Sequence, residues 1–165
     1  MRGNSRHFCC YVLGLSLFVA MSSELLASVQ AEMQAVLAQE KPPDGVLFEI
    51  VEADADFLKW AIPEIKKHID RLRAKFPHLD VAVVTHGREQ FALMRKTSDR
   101  NHDLHERVKS LVKDDKIALH VCGTHANWRQ VESSEFIDGI DVASAGPAQI
   151  NDYKALGYVV IRIKK

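Results

Sequence analysis

Apolar residues cluster along the chain in short runs of strand length, separated by stretches in which they recur every three or four positions. Residues 46–51 (Val46, Leu47, Phe48, Glu49, Ile50, Val51) form the first such run and predict a strand. From Asp56 onward Leu58, Ala61, Ile62, Ile65, Ile69, Leu72 and Phe76 fall mostly three or four apart, while Lys66, Lys67, Asp70 and Arg73 face elsewhere, which predicts an amphipathic helix. Pro63 either opens the continuous helix, where its missing N–H does no harm, or kinks it. Residues 81–85 are a second strand, nearly all apolar as in strands covered on both faces, and stop at His86-Gly87. A short helix over 88–95 follows, interrupted by the polar stretch 97–101, and Leu104, Val108, Leu111 and Val112 mark another helix. Residues 117–121 form a third strand that ends at Cys122-Gly123, and a short helix is predicted from about Asn127 to Phe136. Residues 140–145 are a fourth strand, Gly146-Pro147 open a helix that Gly157 closes, and residues 158–163 are the fifth strand.

Strands that alternate with helices predict a mostly parallel five-stranded sheet with helices on both faces, because parallel neighbours need crossover connections. The expected fold is a three-layer α/β domain over residues 44–165, preceded by a polar lead at 32–43. In such sheets ligands gather at the carboxyl ends of the strands. His86-Gly87, Cys122-Gly123 and Ala145-Gly146 all lie there.

The amino-terminal end has a different pattern. Arg2 and Arg6 precede an apolar run at 8–21, and Val29-Gln30-Ala31 offers small residues for cleavage, so residues 1–31 read as a secretory signal. The run is shorter than the ~20 residues a membrane-spanning helix needs. The protein is therefore expected to be exported, most simply to a periplasm, with no membrane association after cleavage. Val36-Leu37-Ala38 is a second possible cleavage site.

Composition narrows the function classes. The 165 residues are 47% hydrophobic and 27% charged, which is ordinary for one globular domain. Lys+Arg and Asp+Glu are each 22, so nothing supplies the electrostatic footprint of a nucleic-acid binder. No dinucleotide fingerprint, phosphate-binding P-loop or nucleophile elbow occurs, which removes those enzyme classes. Loss of residues 1–31 would remove Cys9 and Cys10 and leave Cys122 alone, unable to form an internal disulfide. A lone cysteine in an oxidising compartment pairs between chains, fills space as a small hydrophobe, or serves as a reactive thiol.

Cys122 ends a strand and precedes Gly123-Thr124-His125-Ala126-Asn127, which would set its sulfur near the amino end of a helix, where free N–H groups favour the thiolate. Thr124 or Asn127 would cap that helix. His120, Cys122 and His125 form H-x-C-x-x-H, with His86 ending a neighbouring strand, so soft-metal ligation is chemically open. No second Cys/His pair at finger-like spacing accompanies them, and neither a metal nor a cofactor is assigned. Arg129 follows Cys122 with six residues between them, one more than the anion loops of phosphatases and rhodaneses.

The order of these segments resembles the DsrE/DsrF-like family of sulfur-relay proteins. The resemblance is carried by Val83-Val84-Thr85-His86-Gly87 after an amphipathic helix, Ile117-Ala118-Leu119-His120-Val121-Cys122-Gly123, Gly139-Ile140-Asp141-Val142, Ala145-Gly146, and Gly157-Tyr158-Val159-Val160-Ile161. It implies a flavodoxin-like fold, a homotrimer or homohexamer, and a cysteine that carries persulfide sulfur, at the position Cys122 occupies. On that reading Cys122 exchanges sulfur with a thiol or sulfane-sulfur donor and acceptor. His86, His125 and Asn127 are its candidate anion-stabilising neighbours, with Gly87, Gly123 and Thr124 in the surrounding loops. The alternative is an oligomeric binding module for a small anion or a metal-containing ligand, with Cys122 structural.

Overall fold

The computed structural model describes residues 21–165. The basic start and nearly all of the apolar run expected of an export signal lie outside the described residues. Five strands, β1 Gly45–Ile50, β2 Val81–Thr85, β3 Ala118–Cys122, β4 Asp141–Ala143 and β5 Tyr158–Arg162, form one sheet in the order β4-β3-β2-β1-β5. Every neighbouring pair is parallel.

Helices α1 Met21–Leu37, α2 Phe57–Lys75, α3 Ser98–Lys113, α4 Gly123–Trp128 and α5 Gly146–Ala155 complete the layers. Steps from β1 to β2 and from β2 to β3 run in one direction, and right-handed crossovers place α2 and α3 on one face. The connection from β4 to β5 returns across the whole sheet and places α5 on the other. Alternation along β1 divides the interior accordingly. Val46, Phe48 and Ile50 join the large core with Leu58, Ile62, Ile65, Ile69 and Val108, whereas Leu47 joins Ala82, Val84 and Ile150 in a smaller cluster under α5.

Four local differences from the sequence expectation have physical causes. Residues 32–37, expected in a polar lead, belong to α1, whose Val29, Met33 and Val36 recur at helical spacing and are buried in the large core. Helix α2 begins at Phe57 and carries Pro63 inside it; burial of Phe57, Leu58, Ala61 and Ile62 outweighs the backbone hydrogen bond the proline forgoes. The expected helix at 88–95 is instead two 3-10 segments, Arg88–Leu93 and Arg95–Thr97. Helix α3 then starts at Ser98, and the interruption survives as a kink at Asn101 (φ −124°, ψ 20°), whose side-chain amide donates to the Ala92 carbonyl at 3.1 Å.

The fourth difference bears on the site. The helix expected from Asn127 starts directly at Gly123, because a Cβ there would sit 2.8 Å from the Ala143 carbonyl oxygen and Thr124 donates both its N–H and its hydroxyl to the Ser144 carbonyl. Past Trp128 a separate 3-10 turn, Ser133–Glu135, replaces the remainder of the expected helix. Gly157, with φ +85°, closes α5 as expected of a left-handed C-terminal glycine.

Candidate functional site

Parallel pairing brings the carboxyl ends of β1, β2 and β3 to one edge of the sheet. Ile50 pairs with Thr85 and Thr85 with Val121, so the next residues, His86 and Cys122, stand side by side just past the last row that β2 and β3 share, with Cys122 still paired to Ala143 of β4. His86 N–H still donates to the Ile50 carbonyl at 3.0 Å, which holds it in register.

Cys122 is 4% exposed and its backbone is held from both sides by one side chain. Buried Gln90 accepts the Cys122 N–H at 2.8 Å through Oε1 and donates Nε2 to the Cys122 carbonyl at 3.4 Å. The sulfur accepts the Gly146 N–H, the first of α5, at 3.3 Å. Helix α5 is 10 residues long, so its amino-terminal partial positive charge is directed at Sγ along with that hydrogen bond. The helix that follows Cys122 in sequence was expected to play this part; the helix that performs it starts 24 residues later.

Gly146 makes the approach possible. A Cβ there would lie 2.5 Å from His86 Cβ and 3.4 Å from Cys122 Cβ, so only glycine lets α5 close onto both residues. A cavity of about 440 Å³ lies elsewhere, between α2 and the start of α3, and Cys122 does not line it.

His86 Nε2 lies 3.0 Å from Glu49 Oε1, and Arg162 grips the same carboxylate with two hydrogen bonds of 2.9 and 3.0 Å. Glu49, His86 and Arg162 thus form a hydrogen-bonded array on the α5 face, next to Cys122. Glu89, fully buried, ties the loops together: its carboxylate accepts Thr85 Oγ1 at 2.6 Å, Gly87 N–H at 2.9 Å and Glu52 N–H at 2.8 Å. Gly87 is required for that tie, since a Cβ would fall 2.2 Å from Glu89 Oε2.

His125 Nδ1 donates toward the His86 carbonyl at 3.2 Å, and its ring meets Phe91 edge-on at 5.0 Å. Trp128 is 78% exposed beside it, and the Arg129 guanidinium lies over Phe91 at 5.0 Å rather than beside the sulfur. Gly123 and Thr124 anchor the start of α4. Asn127 is exposed on that helix and is not tied to the cluster by a hydrogen bond.

His120 shares the α5 face with Cys122, but its Nε2 is paired with the Tyr153 hydroxyl at 2.8 Å. Burial pushes His120 below the ordinary histidine range, against the pull of Asp141, and raises Tyr153, with Tyr158 and Asp141 adding to that rise. The imidazole and the phenol satisfy one another through that single hydrogen bond. His120 and His125 are thereby directed apart, and among the described residues no group of three or more His, Cys, Asp or Glu side chains is placed to hold a metal ion.

Sequence reasoning missed Gln90, Glu89, Glu49 and Arg162. Only Glu49 left a signal, as a carboxylate inside an otherwise apolar strand.

With this geometry in place, the chain is similar to several solved structures, and two of them define the fold. One is the protein of unknown function MTH1491 from Methanobacterium thermoautotrophicum, at 19% identity and a TM-score of 0.57, covering 72% of this chain and 97% of that one. The other is the ychN protein from E. coli, at 13% identity and a TM-score of 0.50, covering 72% of this chain and 99% of that one. No family model and no curated protein sequence matches. The protein therefore has the three-layer α/β fold expected, of the flavodoxin-like and DsrE-like kind, with a five-stranded parallel sheet. Among the described residues no helix is long and apolar enough to cross a membrane.

Proposed function

We propose that the protein is an exported, most simply periplasmic, DsrE-like sulfur carrier in which Cys122 holds one sulfane sulfur as a persulfide. The observation that carries this reading is the Gly146 N–H donated to Cys122 Sγ at the amino end of α5. A hydrogen bond and a helix terminus both favour an anionic sulfur, in the thiolate and in the persulfide alike.

The chemistry is thiol exchange written for sulfur. The Cys122 thiolate attacks the outer sulfur of a donor such as thiosulfate; a new S–S bond forms, the donor's S–S bond breaks, and sulfite leaves with the electron pair. An acceptor thiolate then attacks the outer persulfide sulfur and releases the Cys122 thiolate, so no external oxidant or reductant is used. His86, which packs against Gly146 beside Cys122, and His125, bonded to the His86 carbonyl, are the groups that stabilise the anion, and Gly87, Gly123 and Thr124 hold the loops that place them. Assembly as a homotrimer or homohexamer belongs to the same proposal.

Intact mass spectrometry of the exported protein, before and after incubation with thiosulfate or polysulfide, tests it. The expected result is a gain of one sulfur that is removed by reductant and absent in Cys122→Ser. A thiol that gains nothing favours the second reading, a small-anion binding module with a structural cysteine, which the 4% exposure of Cys122 supports.

A further inference from the structure

We propose that Glu49 is a positioning residue that acts through His86 to make His86 the proton acceptor for Cys122; this rests on the sulfur-carrier reading. Glu49 is 6% exposed, in a strand whose other residues are all buried and apolar or glycine. A carboxylate in that position carries a large desolvation cost unless it is paired, and here both oxygens are taken. Arg162 binds them in a two-pronged grip that fixes the plane of the carboxylate, and His86 Nε2 meets Oε1 at 3.0 Å.

An ionised carboxylate only accepts, so His86 Nε2 carries a hydrogen, and in the neutral ring the accepting nitrogen is Nδ1. His86 and Cys122 flank the Cα of Gly146, the two Cβ atoms lying 2.5 and 3.4 Å from the position of a Cβ there. Nucleophile, neighbouring base and a third group that orients the base are the parts of an activated thiol. In the proton step the Cys122 S–H proton passes to His86 Nδ1 and the electron pair stays on Sγ. The resulting imidazolium is paired with the Glu49 carboxylate, and the charges of imidazolium and Arg162 together balance those of carboxylate and thiolate.

The titratable and charged groups around His86 are Glu49 on β1, Arg162 on β5 behind it, Cys122 on β3, His125 on α4 and Glu89 in the loop after β2; α5 places Gly146 against it. Of these, Glu49 alone meets the imidazole nitrogens through a carboxylate.

The test is the rate of Cys122 alkylation by iodoacetamide against pH in the exported protein, freed of Cys9 and Cys10, for wild type, Glu49→Gln, Glu49→Asp and His86→Asn, with circular dichroism to check folding. Glu49→Gln is expected to slow alkylation near neutral pH by about tenfold to a hundredfold and to move the profile to higher pH. The rates should converge where the thiol ionises unaided, Glu49→Asp should recover part of the loss, and His86→Asn should match Glu49→Gln. Profiles of folded Glu49→Gln or His86→Asn that superpose on wild type would overturn the assignment. If wild type takes up no sulfur, the carrier reading fails, and the alkylation profiles still decide the role of Glu49.

Discussion

Successive residues of β1 alternate between a face packed by α1 and α2, with α3 alongside, and a face covered by α5 alone, and what each face buries differs in kind. On the first, Val46, Phe48 and Ile50 meet Val81, Val83, Leu119 and Val121 in a continuous apolar layer. On the second, the row through Arg162, Glu49, Val84, His120 and Asp141 is largely charged or polar, and the next row holds His86 and Cys122. The same strands thus serve two purposes: one face supplies the burial that holds the domain together, and the other holds ionisable groups where a short helix can close over them.

Substitutions that strike one face and spare the other separate these roles. The largest loss of stability is expected from Phe48→Ala, about 3–5 kcal/mol in denaturant unfolding, because Phe48 is fully buried in the large core. Sulfur uptake by the fraction that remains folded should be unchanged. Glu89→Gln comes next, at roughly 1–3 kcal/mol: one carboxylate oxygen becomes an N–H donor facing donors it formerly accepted. This change should also slow Cys122 chemistry, since Glu89 ties the loop after β2, which carries His86 and Gln90, to the loop after β1.

Acid tests both faces together. Burial holds His68, on the core face, and His120, on the α5 face, below the ordinary histidine range. The unfolded chain therefore binds protons that the native state refuses once the pH drops below about 6.5, so stability should be level above that value and fall beneath it. Urea midpoints across this range would show it, and His68→Phe, which keeps the stacking on Phe48, should flatten part of the slope. The smallest expected effect is Tyr153→Phe, about 1 kcal/mol from the lost hydrogen bond to His120, with Cys122 reactivity unaltered.

Strand order apart, much of the fold was legible. Runs such as 81–85 and 117–121 announce buried parallel strands, and the three-to-four spacing from Leu58 to Leu72 announces α2, because both are local consequences of periodicity. Local pattern also placed His86, Gly87, Cys122 and Gly123 at the carboxyl edge. It did not reveal that α5 rather than α4 points at the sulfur, that Gln90 brackets Cys122, or that Glu49 meets His86 and Arg162. Those contacts join residues 24, 32, 37 and 113 positions apart, and only the register of the sheet and the return crossover bring them together. Asn127 shows the converse: adjacent in sequence to the site, it is turned to solvent by the early start of α4.

The central claim is that Cys122 takes up sulfur and gives it away. Loading the protein with thiosulfate or polysulfide, removing excess donor, adding cyanide and measuring thiocyanate tests both halves at once, because cyanide takes the outer persulfide sulfur and returns the Cys122 thiolate. The account predicts one thiocyanate per chain from wild type and none from Cys122→Ser. Equal thiocyanate from both, or none from either while the protein is folded, would contradict it.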